Sequence, residues 1–316
     1  MSNGVEIGGA PTKKKALVLS GGGGRGAFQW GVMEALEALK WRPDIIVGTS
    51  IGSMNGAVYA VHGIQGVRKM WSEIRTRNMH RFFRFPPWNG IFDRKPWKKT
   101  LEKYAPEADL KQVGPDLYVV SIDFARGQPI VYTNASEVPD GKSLYEKVNA
   151  INHQHLLASS SIPHVYPWTQ IENHALWDGA IMYNSPLRPA IDAGADQIMI
   201  VLLSPYVDLP GRERIMPAVP DTILGKAGHL LDLAIIATFE NDFEQLRKIN
   251  QKVVQRGHDF DYKVVEAAII GPKNWLPAFD IIRYNPRRAE RLRDEGIKAV
   301  AMTRERLRRN GWDSLK

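Results

Sequence analysis

Short apolar runs separated by helical patterns dominate this chain. Residues 16–19 form one short apolar run, and residues 44–47 form another that starts with Asp44. Such runs are typical of strands buried on both faces of a parallel sheet. Each run leads into a glycine-rich turn and then a helical pattern, to about Lys40 after the first turn and to about Val61 after the second. The pattern predicts two βα units whose turns lie at the carboxyl edge of one sheet.

The rest of the chain continues this alternation. Further strands are predicted over residues 117–123, 129–133, 197–203 and 263–270, with Gly127 in the turn of a hairpin between the first two. Helices are predicted over residues 144–161, from about Pro186, over 221–256 and from Pro286 to about residue 310, and residues 209–220 predict an exposed loop. We therefore expect an α/β fold in one domain, with core motifs over residues 16–200 and a cap over residues 68–110.

The first turn, residues 20–26, contains four consecutive glycines. The backbone N–H groups of Gly22, Gly23 and Gly24 are expected to point at an anion near a helix start, and a developing alkoxide is such an anion. A dinucleotide fingerprint also matches the glycine spacing. However, Asp44 begins the second strand, whereas a ribose-binding acid should end it. No Lys-Ser or Lys-Thr pair follows the glycines, so a P-loop is not favoured.

The second turn, Gly48-Thr49-Ser50-Ile51-Gly52, follows a strand and precedes a helix. In a nucleophile elbow, Gly48 and Gly52 allow a close backbone approach, and Ser50 is presented at the sheet edge. The alternative is an ordinary turn with a capping serine. With the glycine loop one βα unit earlier, the elbow is the favoured interpretation.

A serine hydroxyl needs a neighbouring base before it becomes a useful nucleophile. Asp178 is the best candidate, because a short apolar stretch delivers its carboxylate into a glycine turn, where desolvation would raise its pKa. The alternative is an aspartate that only satisfies its own backbone in an Asx-turn. Histidines that could complete a triad instead are His153, His155, His164 and His174.

Taken together, these motifs resemble those of the patatin-like phospholipases. Residues 20–26 are similar to the oxyanion motif of that family with its Arg25, residues 48–52 to its nucleophile elbow, and residues 178–180 to its dyad motif. Residues 158–163 resemble its small-residue segment ending in proline. Ser20 and Ala180 are small departures, since the family often has Asp and Gly there.

The resemblance implies a three-layer α/β/α sandwich with a mostly parallel sheet and a lipid acyl hydrolase activity. It also implies a Ser50–Asp178 dyad, with Gly22, Gly23, Gly24 and Arg25 at the oxyanion hole. The expected substrate is a phospholipid or another acyl-ester lipid. No cofactor or metal is expected, because the chain has no cysteine and no acidic loop with calcium-binding spacing.

Composition agrees with an enzyme of this size. The chain has 316 residues, 44% hydrophobic content and a formal net charge of +8, which is enough material for one large α/β domain. The absence of cysteine suits a reducing compartment, and neither a signal peptide nor a run of ~20 apolar residues is evident. We expect a cytoplasmic protein whose membrane contact, if present, is peripheral at the inner face.

Residues 68–99 combine ten basic residues with several aromatic rings. This mixture is typical of contact with an anionic bilayer, and equally of a helical cap with a solvated charged face. A nucleic-acid partner is not expected, because no recognised module is visible. The candidate lipid-contact residues are Arg81, Phe82, Phe83, Arg84, Trp88, Arg94, Lys95 and Trp97.

Two functions therefore remain open from the sequence. The first is a lipid acyl hydrolase of the patatin-like type. The alternative is a catalytically silent lipid- or membrane-binding protein on the same fold, which would use the basic aromatic segment. The intact elbow, glycine loop and Asp178 favour the hydrolase.

Overall fold

A computed structural model describes residues 13–83, 89–138, 144–206, 221–256 and 263–309. The strands are β1 (Lys15–Leu19), β2 (Ile45–Thr49), β3 (Arg81–Phe82), β4 (Phe92–Asp93), β5 (Asp116–Asp123), β6 (Gln128–Thr133), β7 (Tyr145–Lys147), β8 (Thr169–Ile171), β9 (His174–Asp178), β10 (Gln197–Val201) and β11 (Glu266–Ile270). The helices are α1 (Ala27–Ala38), α2 (Ile51–Glu73), α3 (Thr76–Met79), α4 (Lys95–Tyr104), α5 (Glu107–Leu110), α6 (His153–Ser159), α7 (Ala180–Tyr183), α8 (Leu187–Asp192), α9 (Ile223–Arg256) and α10 (Pro286–Arg309). Single 3₁₀ turns lie at Gly23–Gly26 and Ala278–Ile281.

Among the described residues, nine strands form one sheet with the main order β11-β10-β1-β2-β5-β6-β7. The first five of these strands are parallel neighbours, and β6 pairs antiparallel with β5. β9 also pairs antiparallel with β5, beyond the point where β2 ends, and β8 pairs with β9. The sheet is therefore mostly parallel, and its carboxyl edge collects the turns that follow β1 and β2.

Helices cover both faces of this sheet. On β1, Leu17 and Leu19 belong to a buried cluster with α1, α2, α6 and α10, whereas Ala16 and Val18 face a second cluster with α8 and α9. This alternation is the period-2 geometry of a strand that is buried on both sides. The architecture is the expected three-layer α/β/α sandwich.

The structure departs from the predicted helix over residues 144–161. That stretch is instead β7, followed by a loop and the shorter α6, which Asn152 caps by accepting hydrogen bonds from two backbone N–H groups. The apolar spacing predicts one helix because a three-residue edge strand is too short to show the alternation of apolar and polar residues that identifies a strand. Residues 209–220, the predicted loop, lie outside the described residues.

The expected helix after the second turn extends further than Val61. α2 is interrupted at Gly63, which has a φ of 61° and a ψ of −161°, and then continues to Glu73. The second half carries Trp71, which is buried in the same cluster as Leu17. The second half of α2, over residues 64–73, therefore packs into the main core. Of the described helices, none is long and apolar enough to span a bilayer.

Candidate active site

The second glycine turn places Ser50 between β2 and α2. Ser50 has a φ of 55° and a ψ of −124°, a conformation that non-glycine residues adopt rarely and at an energetic cost. A Cβ at Gly48 would lie 2.5 Å from Ser53 Cα, and one at Gly52 would lie 2.2 Å from the Leu19 carbonyl oxygen. Both flanking positions therefore require glycine for the close backbone approach of the elbow.

Strand β5 brings Ser50 and Asp178 together. Val120 of β5 pairs with Thr49, the last residue of β2. The next residue, Ser121, pairs with Asp178, the last residue of β9. Because β2 and β9 occupy the same side of β5 in succession, the residue that follows Thr49 must lie close to Asp178.

The Ser50 hydroxyl donates a hydrogen bond to Asp178, with 2.6 Å between Oγ and Oδ2. Ser50 is 3% exposed and Asp178 is 2% exposed. Burial raises the pKa of Asp178 to about 7, although the hydrogen bonds from Ser50 and Ala180 and the Arg94 cation each act to lower it. A carboxylate with a pKa near neutrality is suited to accept and return a proton.

Asp178 also forms the Asx-turn contact considered from the sequence, through its second carboxylate oxygen, Oδ1. Oδ1 accepts a hydrogen bond of 2.8 Å from the Ala180 backbone N–H. This contact fixes the side-chain rotamer, so that Oδ2 faces Ser50. The structural and the chemical interpretations of this aspartate are therefore compatible.

The first glycine turn lies against the serine. A Cβ built on Gly21 would be 3.1 Å from Ser50 Cβ, and the Gly21 N–H donates to Asn184 Oδ1 at 2.9 Å. Among the described residues, no acceptor is present for the N–H groups of Gly22, Gly23 and Gly24. These three unpaired donors precede a helix start, which is a favourable arrangement for an anion.

Arg25, which was grouped with the oxyanion residues, is placed differently. Its backbone N–H donates to the Gly22 carbonyl at 3.2 Å, and its guanidinium Nε donates to the Pro277 carbonyl at 3.2 Å. Arg25 is also buried, with 3% of its surface exposed. We therefore correct its role: Arg25 fastens the glycine loop to the 277–281 segment and does not offer its N–H.

The small-residue segment before β8 connects the serine to the aspartate. Ser159 Oγ accepts a 2.9 Å hydrogen bond from the Ser50 backbone N–H and donates to the Val120 carbonyl at 2.6 Å. The Ser161 carbonyl accepts from the Asp178 backbone N–H at 3.0 Å. Larger side chains at these positions would separate β5 from the elbow.

Arg94 was expected at a lipid surface, but its guanidinium is turned inward. Nη1 donates to the Leu157 carbonyl at 2.6 Å and to Ser161 Oγ at 2.7 Å, and Nη2 donates to Thr169 Oγ1 at 2.8 Å. Burial lowers the pKa of Arg94 to about 10, which leaves it cationic. The structure thus gives Arg94 contacts beside the site in place of the predicted lipid contact, because three acceptors at partly buried positions hold the side chain there.

Trp97 is the second correction among the lipid-contact candidates. It is 2% exposed and packs edge-on against Tyr166, with 5.9 Å between ring centroids. Arg81, Phe82 and Lys95 are exposed, and Phe83 is partly exposed. Arg84 and Trp88 lie outside the described residues.

Several residues that support the site carried no recognisable sequence signal. Asn184 holds the Gly21 amide. Behind the loop, Gln29 donates to the Ser20 carbonyl at 2.7 Å, and Asn55 donates to Gln29 Oε1 at 2.8 Å. Trp71 Nε1 in turn donates to Asn55 Oδ1 at 2.9 Å. These amides are scattered along the chain, and only the fold makes them one network.

Of the four histidines named as triad candidates, three make other side-chain contacts and His164 is exposed. His174 Nδ1 lies 2.8 Å from Asp123 Oδ2, His153 Nε2 lies 2.9 Å from the Ala105 carbonyl, and His155 stacks on Tyr132. Among the described residues, no histidine is hydrogen-bonded to Ser50 or Asp178. Within the same residues, no three acidic or histidine side chains are grouped to hold a metal ion.

Comparison with protein families gives one match over more than half of the chain. The family model described as patatin-like phospholipase matches residues 17–191. These bounds include the glycine loop, the elbow, the small-residue segment and Asp178.

Curated relatives match over the same region. Patatin-like phospholipase domain-containing protein 7 of Mus musculus is 26% identical over 193 residues, which is 59% of this chain and 13% of that protein. Patatin-like phospholipase domain-containing protein 6 of Homo sapiens is 26% identical over 191 residues, which is again 59% of this chain and 13% of that protein. Lysophospholipase nte1 of Aspergillus terreus is 61% identical over 44 residues, 14% of this chain and 3% of that protein. The chain thus spans a small part of the relatives it matches.

Among solved structures, VipD from Legionella pneumophila aligns with this chain at a TM-score of 0.45 and 13% identity. The alignment covers 93% of this chain and 68% of that one.

Proposed function

Because this chain belongs to the patatin-like phospholipase family, we propose that it hydrolyses carboxylic esters of lipids, with Ser50 as nucleophile and Asp178 as general base. The observation that carries the proposal is the 2.6 Å hydrogen bond between Ser50 Oγ and Asp178 Oδ2 in a buried site. A neutral serine next to a carboxylate of pKa about 7 is prepared for attack on an ester carbonyl.

In the first half of the reaction, Ser50 Oγ attacks the carbonyl carbon while its proton passes to Asp178 Oδ2. The carbonyl oxygen gains the negative charge of the tetrahedral intermediate. The N–H groups of Gly22, Gly23 and Gly24, which have no acceptor among the described residues, are the proposed donors to this oxygen. Removing one such donor typically slows catalysis by ~100-fold or more.

Collapse of the intermediate breaks the bond to the alcohol, which leaves with the proton from Asp178. The acyl group then remains on Ser50 as an ester. In the second half, Asp178 takes a proton from a water molecule that attacks this ester. The fatty acid leaves, the proton returns to Ser50 Oγ, and the starting pair is restored.

Arg94 stabilises the ionised form of the base in this proposal. Its cation lowers the pKa of Asp178 against the larger effect of burial, so the carboxylate is ionised over more of the neutral pH range. Arg94 also bonds to Ser161, whose carbonyl accepts from the Asp178 N–H. It is therefore a positioning residue, linked to the base by charge and by the small-residue segment.

The substrate class is proposed from the family and from the names of the relatives, which include phospholipase and lysophospholipase. We assign a lipid that carries a fatty acyl ester, with phospholipids and lysophospholipids as the first substrates to test.

The test is hydrolysis of a short-chain p-nitrophenyl ester and of mixed phospholipid vesicles by the wild type, Ser50→Ala and the matched variant Ser53→Ala. Ser53 lies one turn along the same helix and donates to the Ser50 carbonyl. Ser50→Ala should lose activity by a factor on the order of 10⁴ or more, whereas Ser53→Ala should keep most of it. Failure of the folded wild type to cleave either substrate would contradict the proposal and favour a silent binding protein.

A further inference from the structure

A basic cavity of about 550 Å³ lies between α3, β3 and α4. Neither Ser50 nor Asp178 lines it, so it is separate from the candidate active site. Its charged lining residues are Glu73, Arg77, Arg81, Lys95, Lys99 and Lys103.

The cations of this cavity come from two walls. Lys95, Lys99 and Lys103 recur every four residues and therefore share one face of α4. Arg77 of α3 and Arg81 of β3 line the cavity from these two other elements. Like charges at this helical spacing oppose each other, and an anion bound between the walls would relieve this repulsion.

Acidic partners neutralise only part of this charge. Lys103 pairs with Glu73 at 2.5 Å, and Arg81 pairs with Asp93 at 3.1 Å. In the part of the chain that the structure describes, Arg77, Lys95 and Lys99 have no carboxylate within ion-pair distance. Three exposed cations therefore face one cavity, which suits the multiple negative oxygens of a phosphate group.

The apolar neighbour of the cavity favours a lipid source for that phosphate. Phe82 follows Arg81 directly and is 74% exposed, although its ring packs on Phe92 with 4.7 Å between centroids. Ile91, which directly precedes the facing strand β4, is 51% exposed. Aromatic and aliphatic side chains next to cations are typical of a surface that enters the bilayer interface.

We propose that this cavity binds the phosphate of an anionic phospholipid in a bilayer, while Phe82 enters the interfacial layer. Arg77, Lys95 and Lys99 supply the charge, and Arg81 and Lys103 remain engaged with their acidic partners. α4, which forms one wall, begins directly after Arg94, the residue that contacts the active-site segment. Docking here would therefore set the membrane against the wall of the candidate active site.

The experiment measures vesicle binding by co-sedimentation in a Ser50→Ala background, so that the result does not depend on hydrolysis. Vesicles of phosphatidylcholine alone are compared with vesicles that also contain phosphatidylglycerol. The triple variant Arg77→Gln/Lys95→Gln/Lys99→Gln should bind the anionic vesicles on the order of 100-fold more weakly, since each basic residue near the surface contributes about fivefold. The matched triple variant Lys40→Gln/Lys111→Gln/Lys298→Gln removes the same charge at exposed positions elsewhere and should lose less than about threefold.

A second arm separates a lipid from free phosphate. Phe82→Ser should weaken binding to anionic vesicles by roughly tenfold, because an interfacial ring is lost, while inorganic phosphate binding measured by calorimetry should not change. Thermal unfolding checks that each variant is folded, and the single Lys99→Glu variant replaces the triple variant if the latter is not. Equal binding of the wild type to both vesicle types, or equal losses in the two triple variants, would overturn the proposal. Unchanged vesicle binding by Phe82→Ser would overturn the insertion of Phe82 into the interfacial layer. Binding of inorganic phosphate by a wild type that does not bind anionic vesicles would overturn the bilayer assignment in favour of a soluble phosphate.

Discussion

Ser50 Oγ and Asp178 Oδ2 lie 2.6 Å apart because consecutive residues of β5 hold the strands that carry them. The contact is made in the interior, with Asp178 only 2% exposed. Removing a carboxylate from water opposes its ionisation, which is the main reason that its pKa rises to about 7. The same burial that prepares a base therefore opposes the stability of the folded chain.

Asp178→Asn should reduce activity and alter the pH dependence of stability. Between its usual pKa of 3.8 and about 7, folded Asp178 keeps a proton that the unfolded chain has released. The free energy of unfolding of the wild type therefore falls as pH rises through this interval, and the loss is complete above about pH 7. Asparagine does not titrate, so the variant lacks this loss of stability. The difference in melting temperature, variant minus wild type, should therefore increase from pH 4 to pH 8.

The control for this experiment is Asp109→Asn, at an exposed position in α5. It should show no comparable rise relative to wild type over the same pH range. A relative melting temperature that is flat with pH for Asp178→Asn would contradict a raised pKa for Asp178.

The pH profile of kcat/KM tests the charge of Arg94. Only ionised Asp178 accepts the serine proton, so the rate should rise with pH through about 7. Because the Arg94 cation lowers the pKa of Asp178, Arg94→Met should move this limb to higher pH. Arg94→Lys retains the charge and should stay closer to the wild-type profile. Lys98→Met removes an exposed cation from α4, the helix that Arg94 directly precedes, and should leave the limb in place. An unshifted limb in Arg94→Met would show that the Arg94 charge does not act on the base.

Gly23→Ala should damage the fold of the loop as well as catalysis. Gly23 has a φ of +58°, and a Cβ there would lie 1.8 Å from the Ile281 carbonyl oxygen. Gly127 has a similar φ of +66° with no atom within 4 Å of its Cβ position, so Gly127→Ala reports the backbone strain alone, about 1–2 kcal/mol. Urea unfolding should give a loss for Gly23→Ala larger than this by at least about 1–3 kcal/mol. Equal losses of unfolding free energy in Gly23→Ala and Gly127→Ala would mean that the glycine loop moves away from the 278–281 turn without loss of stability.

The elements next to the motifs were predictable because their patterns are strong. Residues 16–19 are apolar throughout and residues 117–123 begin with four apolar residues, and these stretches became β1 and most of β5. The glycine spacing around Ser50 has one geometric meaning, a close approach of strand and helix, and the structure has that approach at Gly48 and Gly52. β7 and β8 were not predicted, since three-residue strands depend on their partners and not on their own sequence.

Arg94 shows what a local pattern cannot reveal. In the sequence it stands among basic and aromatic residues that are typical of a membrane surface. In the fold it reaches the Leu157 carbonyl, Ser161 and Thr169, which lie more than sixty residues away. Asn184 is similar, because its acceptor role depends on Gly21, 163 residues earlier. Such partners are decided by the tertiary structure alone.

Asp178 is proposed to activate Ser50 as a nucleophile. The most direct measurement is the rate of covalent labelling by a fluorophosphonate, with the modified peptide identified by mass spectrometry, for wild type and Asp178→Asn across pH 5 to 9. We expect one adduct, on Ser50, which forms faster as pH rises through about 7 and forms at least ~100-fold more slowly in Asp178→Asn. Labelling at another residue, or a wild-type rate in Asp178→Asn, would contradict this proposal.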